Sequence, residues 1–371
     1  MSKNILIIIS SLWWGWAERV ATTIWSHLNK NNKVFYLTRY NNEKEYDFSR
    51  KKICIGDKLS TSYIVGIYRI IKRSFIIKKI SKKYNIDYCI SFMEESSFPN
   101  ILSKYILHNR SKIILSIRDS IDSKSIVYRT FVKLFYNNAD LIVPNSKEER
   151  ENIIENYWVK PEKVKVFTIY NPLNFETINN LKNEDIKEKL FNRDIFSFIT
   201  VWRVVEQKNQ RFLIKCFNKF SLEYPNAQLI IVGEWPLKNE LMELPKNRNV
   251  IFLWHQKNVY KWLYHSDCFL FSSLHEWFPN AVLEAMACWL PILSTPFKTW
   301  IKENVNDNEY WVLVKQKDEK EFIKNMKCLY NDRERLLYYK KQSLKKCREF
   351  DVNMIVKEWK KALKYNFISI N

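Results

Sequence analysis

Glycine is nearly absent. The chain has 371 residues and only four glycines, where ordinary usage near 7% would supply roughly 26. That shortage excludes collagen-like and glycine-rich low-complexity sequence, and it leaves few positions free to take left-handed backbone. Long apolar runs are missing too: no stretch approaches the roughly 18 apolar residues of a membrane-spanning helix, and mean hydropathy is −0.36. Histidine is scarce, with five residues and no spacing that suggests a metal-ligand cluster. The seven cysteines (Cys54, Cys89, Cys216, Cys268, Cys288, Cys328, Cys347) are odd in number and form no C-x-x-C pair. They read as reduced core residues of a cytosolic protein rather than as a disulfide framework. Met1 to Ser10 carries one lysine and a short apolar run with no small-residue cleavage site after it, so a buried strand is expected there and not a signal peptide.

What is present is apolar and basic. Hydrophobic residues make up 46% of the chain, tryptophan occurs 14 times, and 61 Lys and Arg against 40 Asp and Glu leave a net charge of +21. The length suits two or three domains with substantial cores. Short β-rich apolar runs alternate with stretches of helical period, which predicts βαβ units around parallel sheets. One series of strands is expected from Asn4 to Ile169 and a second from Phe196 to Val314, separated by a polar segment at Asn174 to Asn192. The implied organisation is a first Rossmann-like domain over 1–173, a linker over 174–192, a second Rossmann-like domain over 193–349 and a closing helix over 350–371.

The first domain is the more basic. Its densest run, Arg69, Lys72, Arg73, Lys78, Lys79, Lys82 and Lys83, is interleaved with Ile70, Ile71, Phe75, Ile76, Ile77 and Ile80 and contains no acid. Two readings stand side by side. One is an ordinary helix with its isoleucines on the sheet and its lysines in water; the other is attachment to an anionic membrane surface, where each basic residue contributes about 1 kcal/mol. No nucleic-acid-binding module accompanies the charge, so nucleic acid is not an expected partner.

Ligands of doubly wound sheets sit at the carboxyl ends of strands, and three clusters follow such ends. Ser11-Leu12-Trp13-Trp14-Gly15-Trp16 follows the first strand. Val201-Trp202-Arg203 leads to Lys208 after the first strand of the second domain, and Ser272-Ser273 leads through Glu276, Phe278, Pro279 and Asn280 to Glu284. Arg203 and Lys208 could converge with a helix N-terminus on a diphosphate. If Pro279 opens a helix, the amides of Phe278 to Asn280 would face an anion and Glu284 could accept from ribose hydroxyls. Any one of these charges alone is more often a plain surface charge. Three clusters in this order carry more weight.

These motifs, together with Asn171-Pro172, Ala287-Cys288, the Leu290 to Thr295 run and an amphipathic helix around Trp359, resemble the GT-B glycosyltransferases of family 4, retaining enzymes of bacterial polysaccharide and glycan assembly. The resemblance spans nearly the whole chain. It implies an α/β GT-B fold: two Rossmann-like, doubly wound domains facing a central cleft, with the C-terminal helix crossing back to the first domain. It implies transfer of a hexose or N-acetylhexosamine from a nucleotide sugar, expected to be UDP-linked, to a glycan or lipid-linked saccharide acceptor. Arg203, Lys208 and Glu276 would be the catalytic residues, and Gly15, Trp16, Trp202, Phe278, Pro279, Asn280 and Glu284 would join them in holding the donor. Arg118 would lie on the acceptor side. No metal and no cofactor beyond the donor substrate is implied. The expected location is cytoplasmic, peripheral on the inner face of the membrane if the basic helix meets lipid. A non-catalytic nucleotide- or membrane-binding GT-B protein and a GT-B UDP-sugar epimerase are the alternatives.

The chain departs from the family pattern in one way. Tryptophan stands at positions 14, 16, 158, 202, 235, 254, 277, 289, 300 and 311, where the resemblance places glycine. Indoles at backbone positions built for φ > 0 or for close approach to phosphate would strain the turns or fill the donor site. One codon, UGA, is read as glycine in some bacterial codes and as tryptophan in others, and the ten positions are expected to be UGA codons in the gene.

Overall fold

The computed structural model describes residues 2–12, 16–28, 32–40, 52–57, 63–186, 191, 194–203, 205–233, 238–246, 248–276, 278–297 and 309–364. They fall into two compact units, one built from Met1–Pro172 and Val352–Asn371, the other from Leu173–Asp351.

The first unit alternates strands β1 (Asn4–Ile9), β2 (Lys33–Thr38), β3 (Lys52–Cys54), β4 (Tyr88–Phe92), β5 (Lys112–Ile117), β6 (Leu141–Pro144) and β7 (Lys165–Val166) with helices α1 (Trp16–Leu28), α2 (Tyr63–Lys83), α3 (Glu94–Tyr105), α4 (Ile126–Phe135) and α5 (Lys147–Glu155). The strands pair in the order β3-β2-β1-β4-β5-β6-β7, and every pairing is parallel. Parallel strands covered on both faces carry apolar residues at successive positions, and β1 shows this: Ile5 to Ile9 are all buried. Because side chains alternate between faces, β1 serves two cores. Ile5, Ile7 and Ile9 pack with Ile24 and Trp25 of α1 and with Ile355 and Trp359 of the closing helix Val352–Lys364. Leu6 and Ile8 belong to the opposite core, with Ile77 of α2, Ile101 of α3 and Val132 of α4. Trp25 and Trp359 meet edge to face at 5.7 Å, so the helix Val352–Lys364 is integral to the first unit.

The second unit contains α6 (Phe175–Leu181), β8 (Phe196–Val201), α7 (Gln210–Phe220), β9 (Ala227–Val232), α8 (Lys238–Met242), β10 (Val250–Leu253), α9 (Tyr260–Tyr264), β11 (Cys268–Phe271), α10 (Asn280–Ala287), β12 (Ile292–Ser294) and β13 (Val312–Leu313), followed by helices Glu319–Asn331 and Arg333–Cys347. Its six parallel strands run β10-β9-β8-β11-β12-β13. Phe198, Leu229, Ile231 and Leu270 meet Phe212, Phe217 and Phe220 of α7 and Phe322 and Met326 of the helix Glu319–Asn331 in one core. Asp318 and Asp332 cap the last two helices by accepting from the amides of Glu321 and Arg335, the usual device for satisfying first-turn donors.

In each sheet the strand order reverses once: between β1 and β4 in the first unit, between β8 and β11 in the second. Such a switch point is where the loops leaving two neighbouring strands diverge and open a crevice.

Candidate functional site

At the second switch point, β8 runs into Trp202 and Arg203 and β11 into Ser272 and Ser273. The two loops are stitched together. The Ser272 hydroxyl shares its one proton between the carbonyls of Lys208 and Asn209, both at 3.0 Å. The Ser273 hydroxyl oxygen lies 3.1 Å from the Gln207 carbonyl, the Leu274 N–H donates to the same carbonyl at 2.9 Å, and the Gln207 side-chain amide donates to the His275 carbonyl at 2.7 Å. Short serines immediately after a strand suit this task, since their hydroxyls reach the neighbouring backbone without filling the crevice.

Lys208 ends a short 3-10 turn, Glu206–Lys208. Its ammonium is buried, ion-paired with the buried Glu276 carboxylate, which also accepts from the Ser273 hydroxyl. On another side the ammonium lies 3.7 Å from the centroid of the Trp202 ring, and that ring is 5.2 Å from Phe271. Burial lowers the Lys208 pKa first, and Glu276 opposes that shift. Arg203 is exposed and close enough for its charge to lower Lys208 further. The two cations expected to converge are therefore unlike: one is buried and already paired, the other faces solvent.

Pro279 occupies the N-cap of α10. Of the three amides expected to face an anion over Phe278 to Asn280, two are spoken for: proline has no N–H, and the Asn280 amide turns back to the Phe278 carbonyl at 3.0 Å. Phe278 is buried, its ring 6.1 Å from that of Phe350. Glu284 lies within α10, buried, and accepts from the Tyr260 hydroxyl at 2.7 Å. Tyr260 is the residue that sequence reasoning missed. It opens α9, where Asn258 Oδ1 accepts its amide at 3.0 Å. Asn258 followed by Tyr260 after β10 was the available signal.

The first unit holds the remaining candidates. Gly15 lies outside the described residues, as do Trp14, Trp235, Trp277 and Trp300; Trp16 opens α1, and only its backbone is described. Arg118 follows β5 and is buried, donating to Ser116 Oγ at 2.7 Å, the Ile169 carbonyl at 2.9 Å and Asn171 Oδ1 at 3.0 Å. These partners are neutral, and burial pushes the guanidinium down to about 9, which still leaves it charged at neutral pH. The Asn171-Pro172 motif is thus tied to Arg118 through its asparagine.

The tryptophans divide by backbone. Trp158 and Trp289 are left-handed, at φ +59° and +67°. Around Trp289 the helix end is a Schellman motif: the Leu290 N–H returns to the Ala285 carbonyl and the Trp289 N–H to the Met286 carbonyl, both at 3.0 Å, a geometry that favours glycine at the position of Trp289. At the site itself Gly233 shows how close backbone comes, because a Cβ there would sit 1.8 Å from the Trp202 carbonyl oxygen. Trp311 behaves otherwise. It is fully buried and has no positive φ, so here the indole is core.

A family profile described as "Glycosyl transferases group 1" matches residues 182–346. An uncharacterized glycosyltransferase of Methanocaldococcus jannaschii is 31% identical, with 96% of this chain and 97% of that protein covered. The chain belongs to the glycosyltransferases. An N-acetylgalactosamine-N,N'-diacetylbacillosaminyl-diphospho-undecaprenol 4-alpha-N-acetylgalactosaminyltransferase of Campylobacter jejuni is 27% identical over 98% of this chain and 99% of its own length. Among solved structures, a glycosyltransferase of Rickettsia africae superposes with a TM-score of 0.81 at 14% identity, covering 99% of this chain and 100% of that one. Anabaena HepE in complex with UDP gives a TM-score of 0.78 at 15% identity, covering 97% and 99%. The fold of this glycosyltransferase is GT-B, with two Rossmann-like units.

Proposed function

We propose that this glycosyltransferase moves a hexose or N-acetylhexosamine from a UDP-linked donor to a lipid-linked glycan, with retention at the anomeric carbon, in the assembly of cell-surface polysaccharide. The observation that carries the reading is the cluster at the β8/β11 switch point, where Lys208, Glu276 and Arg203 gather within one Rossmann-like unit and Glu284 is held ready in α10. In this reading Lys208 and Arg203 offset the charge that develops on the leaving diphosphate, the kind of fixed electrostatic stabilisation that dominates many enzymic rate enhancements. Glu276 aligns the Lys208 ammonium and faces the donor sugar. Glu284, one oxygen held by Tyr260, accepts from ribose hydroxyls. No metal or cofactor is assigned to the reaction. Relatives support the substrate classes: the Campylobacter enzyme named above acts on a diphospho-undecaprenol glycan, and an Escherichia coli relative is a UDP-Gal:alpha-D-GlcNAc-diphosphoundecaprenol alpha-1,3-galactosyltransferase. An α product from an α-linked donor means retention. Arg118 is placed on the acceptor side, and the basic helix α2 toward an anionic membrane where a lipid-linked acceptor would reside.

The test is a panel of UDP-sugars with an undecaprenyl-diphosphate-linked saccharide, the product anomer read by NMR. A β-linked product removes retention, and interconversion of UDP-sugars without transfer supports the epimerase instead. One observation favours a second reading, nucleotide binding without turnover: the Trp202 indole sits against Lys208 where a phosphate would need to approach. Trp202→Gly is therefore expected to raise UDP affinity and transfer together in calorimetry and product assays. Unchanged affinity would mean that the indole does not compete with the diphosphate.

A further inference from the structure

Four neighbouring strands of the first sheet lead into groups that bond to one another. Ser10 follows β1, Arg39 follows β2 and Asp57 lies just beyond β3, while Glu95 is in the first turn of α3, which follows β4. In the sheet order β3-β2-β1-β4 these positions adjoin along one carboxyl edge. Asp57 accepts from Arg73 of α2, whose Nε is at 2.8 Å and Nη2 at 2.6 Å, and it lies 3.9 Å from Arg39 Nε. Arg39 is ion-paired in turn with Glu95, whose carboxylate accepts from the Ser10 hydroxyl at 3.2 Å. Charges therefore alternate along Arg73, Asp57, Arg39 and Glu95. The inner end is fixed, the Arg73 and Asp57 side chains each being 7% exposed. The outer end, Glu95, is 61% exposed and stands at the β1/β4 switch point.

Against this row of charges lies a cavity of about 10 Å³, the room of a single water. Arg39, Arg73, Glu95 and Ser96 form its polar wall, and apolar side chains of the sheet, α2 and α3 form the rest. Two buried donor atoms here, Arg39 Nε and Ser96 Oγ, have no hydrogen-bond partner among the described residues, and Ser96 is only 2% exposed. Orphaned donors beside an accessible carboxylate call for a group that accepts on one side and donates on the other. A hydroxyl does both, and it matches the cavity in size. An anion only accepts, and it would meet no excess of positive charge, because the two arginines are balanced by Asp57 and Glu95.

We infer that Glu95 is a specificity-determining residue for the acceptor. One hydroxyl of the acceptor's sugar enters the cavity, accepts from Ser96 Oγ and Arg39 Nε, and donates to the Glu95 carboxylate. Arg39, Asp57 and Arg73 act through Glu95 as positioning residues, holding still a carboxylate that an exposed side chain would otherwise let swing. Buried ion pairs are a weak source of stability, which leaves the orientation of Glu95 as the use of this one. The hydroxyl so held is not the one that receives the transferred sugar: between α2, α3 and the sheet it is out of reach of a second substrate. This rests on the first unit being the acceptor side, and it adds the residues and the hydroxyl by which a sugar is read there.

Two measurements on the full chain test it. In the first, saturation-transfer NMR follows the methyl α-glycosides of glucose, galactose, N-acetylglucosamine and N-acetylgalactosamine, each with its monodeoxy analogues. The parent should bind at least one glycoside and lose about tenfold or more in affinity when one particular hydroxyl is missing. Glu95→Ala should bind the intact glycoside as weakly as that deoxy analogue. In the second, transfer from UDP-sugars to an undecaprenyl-diphosphate-linked saccharide is timed. Glu95→Ala should raise the acceptor KM by about tenfold or more, with kcat, the UDP-sugar KM and the thermal melt close to those of the parent, since the pair it breaks is exposed at Glu95. Arg39→Gln should raise the acceptor KM less, and Arg39→Lys should recover part of that loss. Silence of the parent toward all four glycosides, or the same deoxy penalties in parent and Glu95→Ala, overturns the inference and leaves the cavity to a water. Transfer that is indifferent to Glu95→Ala counts against this inference alone. Absence of transfer by a parent that binds a glycoside through Glu95 counts against the proposed function alone and supports the sugar site.

Discussion

Lys208 and Arg203 appear alike in the sequence, two cations five positions apart, and the structure separates them by burial. Lys208→Ala would leave the Glu276 carboxylate buried without its cation, and breaking a buried pair from one side costs roughly 3 to 5 kcal/mol. Arg203 is exposed and loses little stability on truncation, while a charge-assisted contact to a diphosphate is worth roughly 1.5 to 3 kcal/mol. Arg203→Ala is therefore expected to weaken UDP binding with an unchanged melting temperature, and Lys208→Ala to lower both; calorimetry and thermal melts decide. Equal melting temperatures for the two variants would mean that the buried pair carries no stability. Glu149 makes a prediction the sequence could not. It is buried at the start of α5, accepting from the Ile121 amide at 3.2 Å, and burial raises its pKa from 4.5 to about 7. The folded chain then holds this proton to a higher pH than the unfolded chain does, so stability falls as pH rises from about 4.5 to about 7 and is level above that. Glu149→Gln should flatten this part of the stability profile relative to the parent in denaturant titrations at pH 5 and pH 8. A parallel slope in the variant assigns the pH dependence to other groups.

At the scale of elements, what was legible follows from periodicity. The second series of strands opens at Phe196, where it is expected to, with β8 (Phe196–Val201), since the strand's buried run and its bracketing turns leave one register. The first series, expected to reach Ile169, closes instead with the two residues of β7, Lys165–Val166, at the edge of its sheet, where pairing on one side only defines a strand weakly. Pairing between distant side chains was not legible. The Tyr260 hydroxyl donating to Glu284, and Arg73 of α2 ion-paired with Asp57 at 2.6 Å, require knowledge of which elements become neighbours. The exposure of Ile67, Ile71 and Phe75 in α2 escaped for the same reason, because an isoleucine-rich helix carries more apolar residues than one face can bury and the sequence does not say which are left over. Helix ends give the third prediction. Trp289 holds a left-handed position in a Schellman turn, which costs a non-glycine residue roughly 1 to 3 kcal/mol, whereas Trp311 fills core, where removing a large aromatic costs roughly 3 to 5 kcal/mol. Trp289→Gly should raise the melting temperature and Trp311→Gly should lower it. Stabilisation by both would show that position 311 is a glycine site as well, irrespective of its packing.

At the scale of the whole molecule, the chain visits the first unit twice. It leaves at Pro172, builds the second unit through Asp351, and returns with Val352–Lys364 to cover one face of the first sheet. That helix buries Val352, Ile355, Val356, Trp359 and Ala362, on the same core as Ile24 and Trp25. Four of the five are large side chains worth roughly 1.5 to 3 kcal/mol each on burial, a sum that rivals the roughly 5 to 15 kcal/mol by which a typical domain is stable. The second unit loses nothing from its own core when the helix is removed, since its strands and the two helices Glu319–Asn331 and Arg333–Cys347 precede residue 352. Ending the chain after Asp351 should therefore unfold the first unit while the second keeps a cooperative melt and, with Arg203, Lys208, Glu276, Tyr260 and Glu284 all present, keeps its affinity for UDP. Transfer should vanish, because the acceptor side is assigned to the unit that has come apart. Loss of UDP binding on this truncation, with the second unit still folded by circular dichroism, would place part of the donor site outside residues 173–351 and overturn the assignment of that site to the β8/β11 switch point.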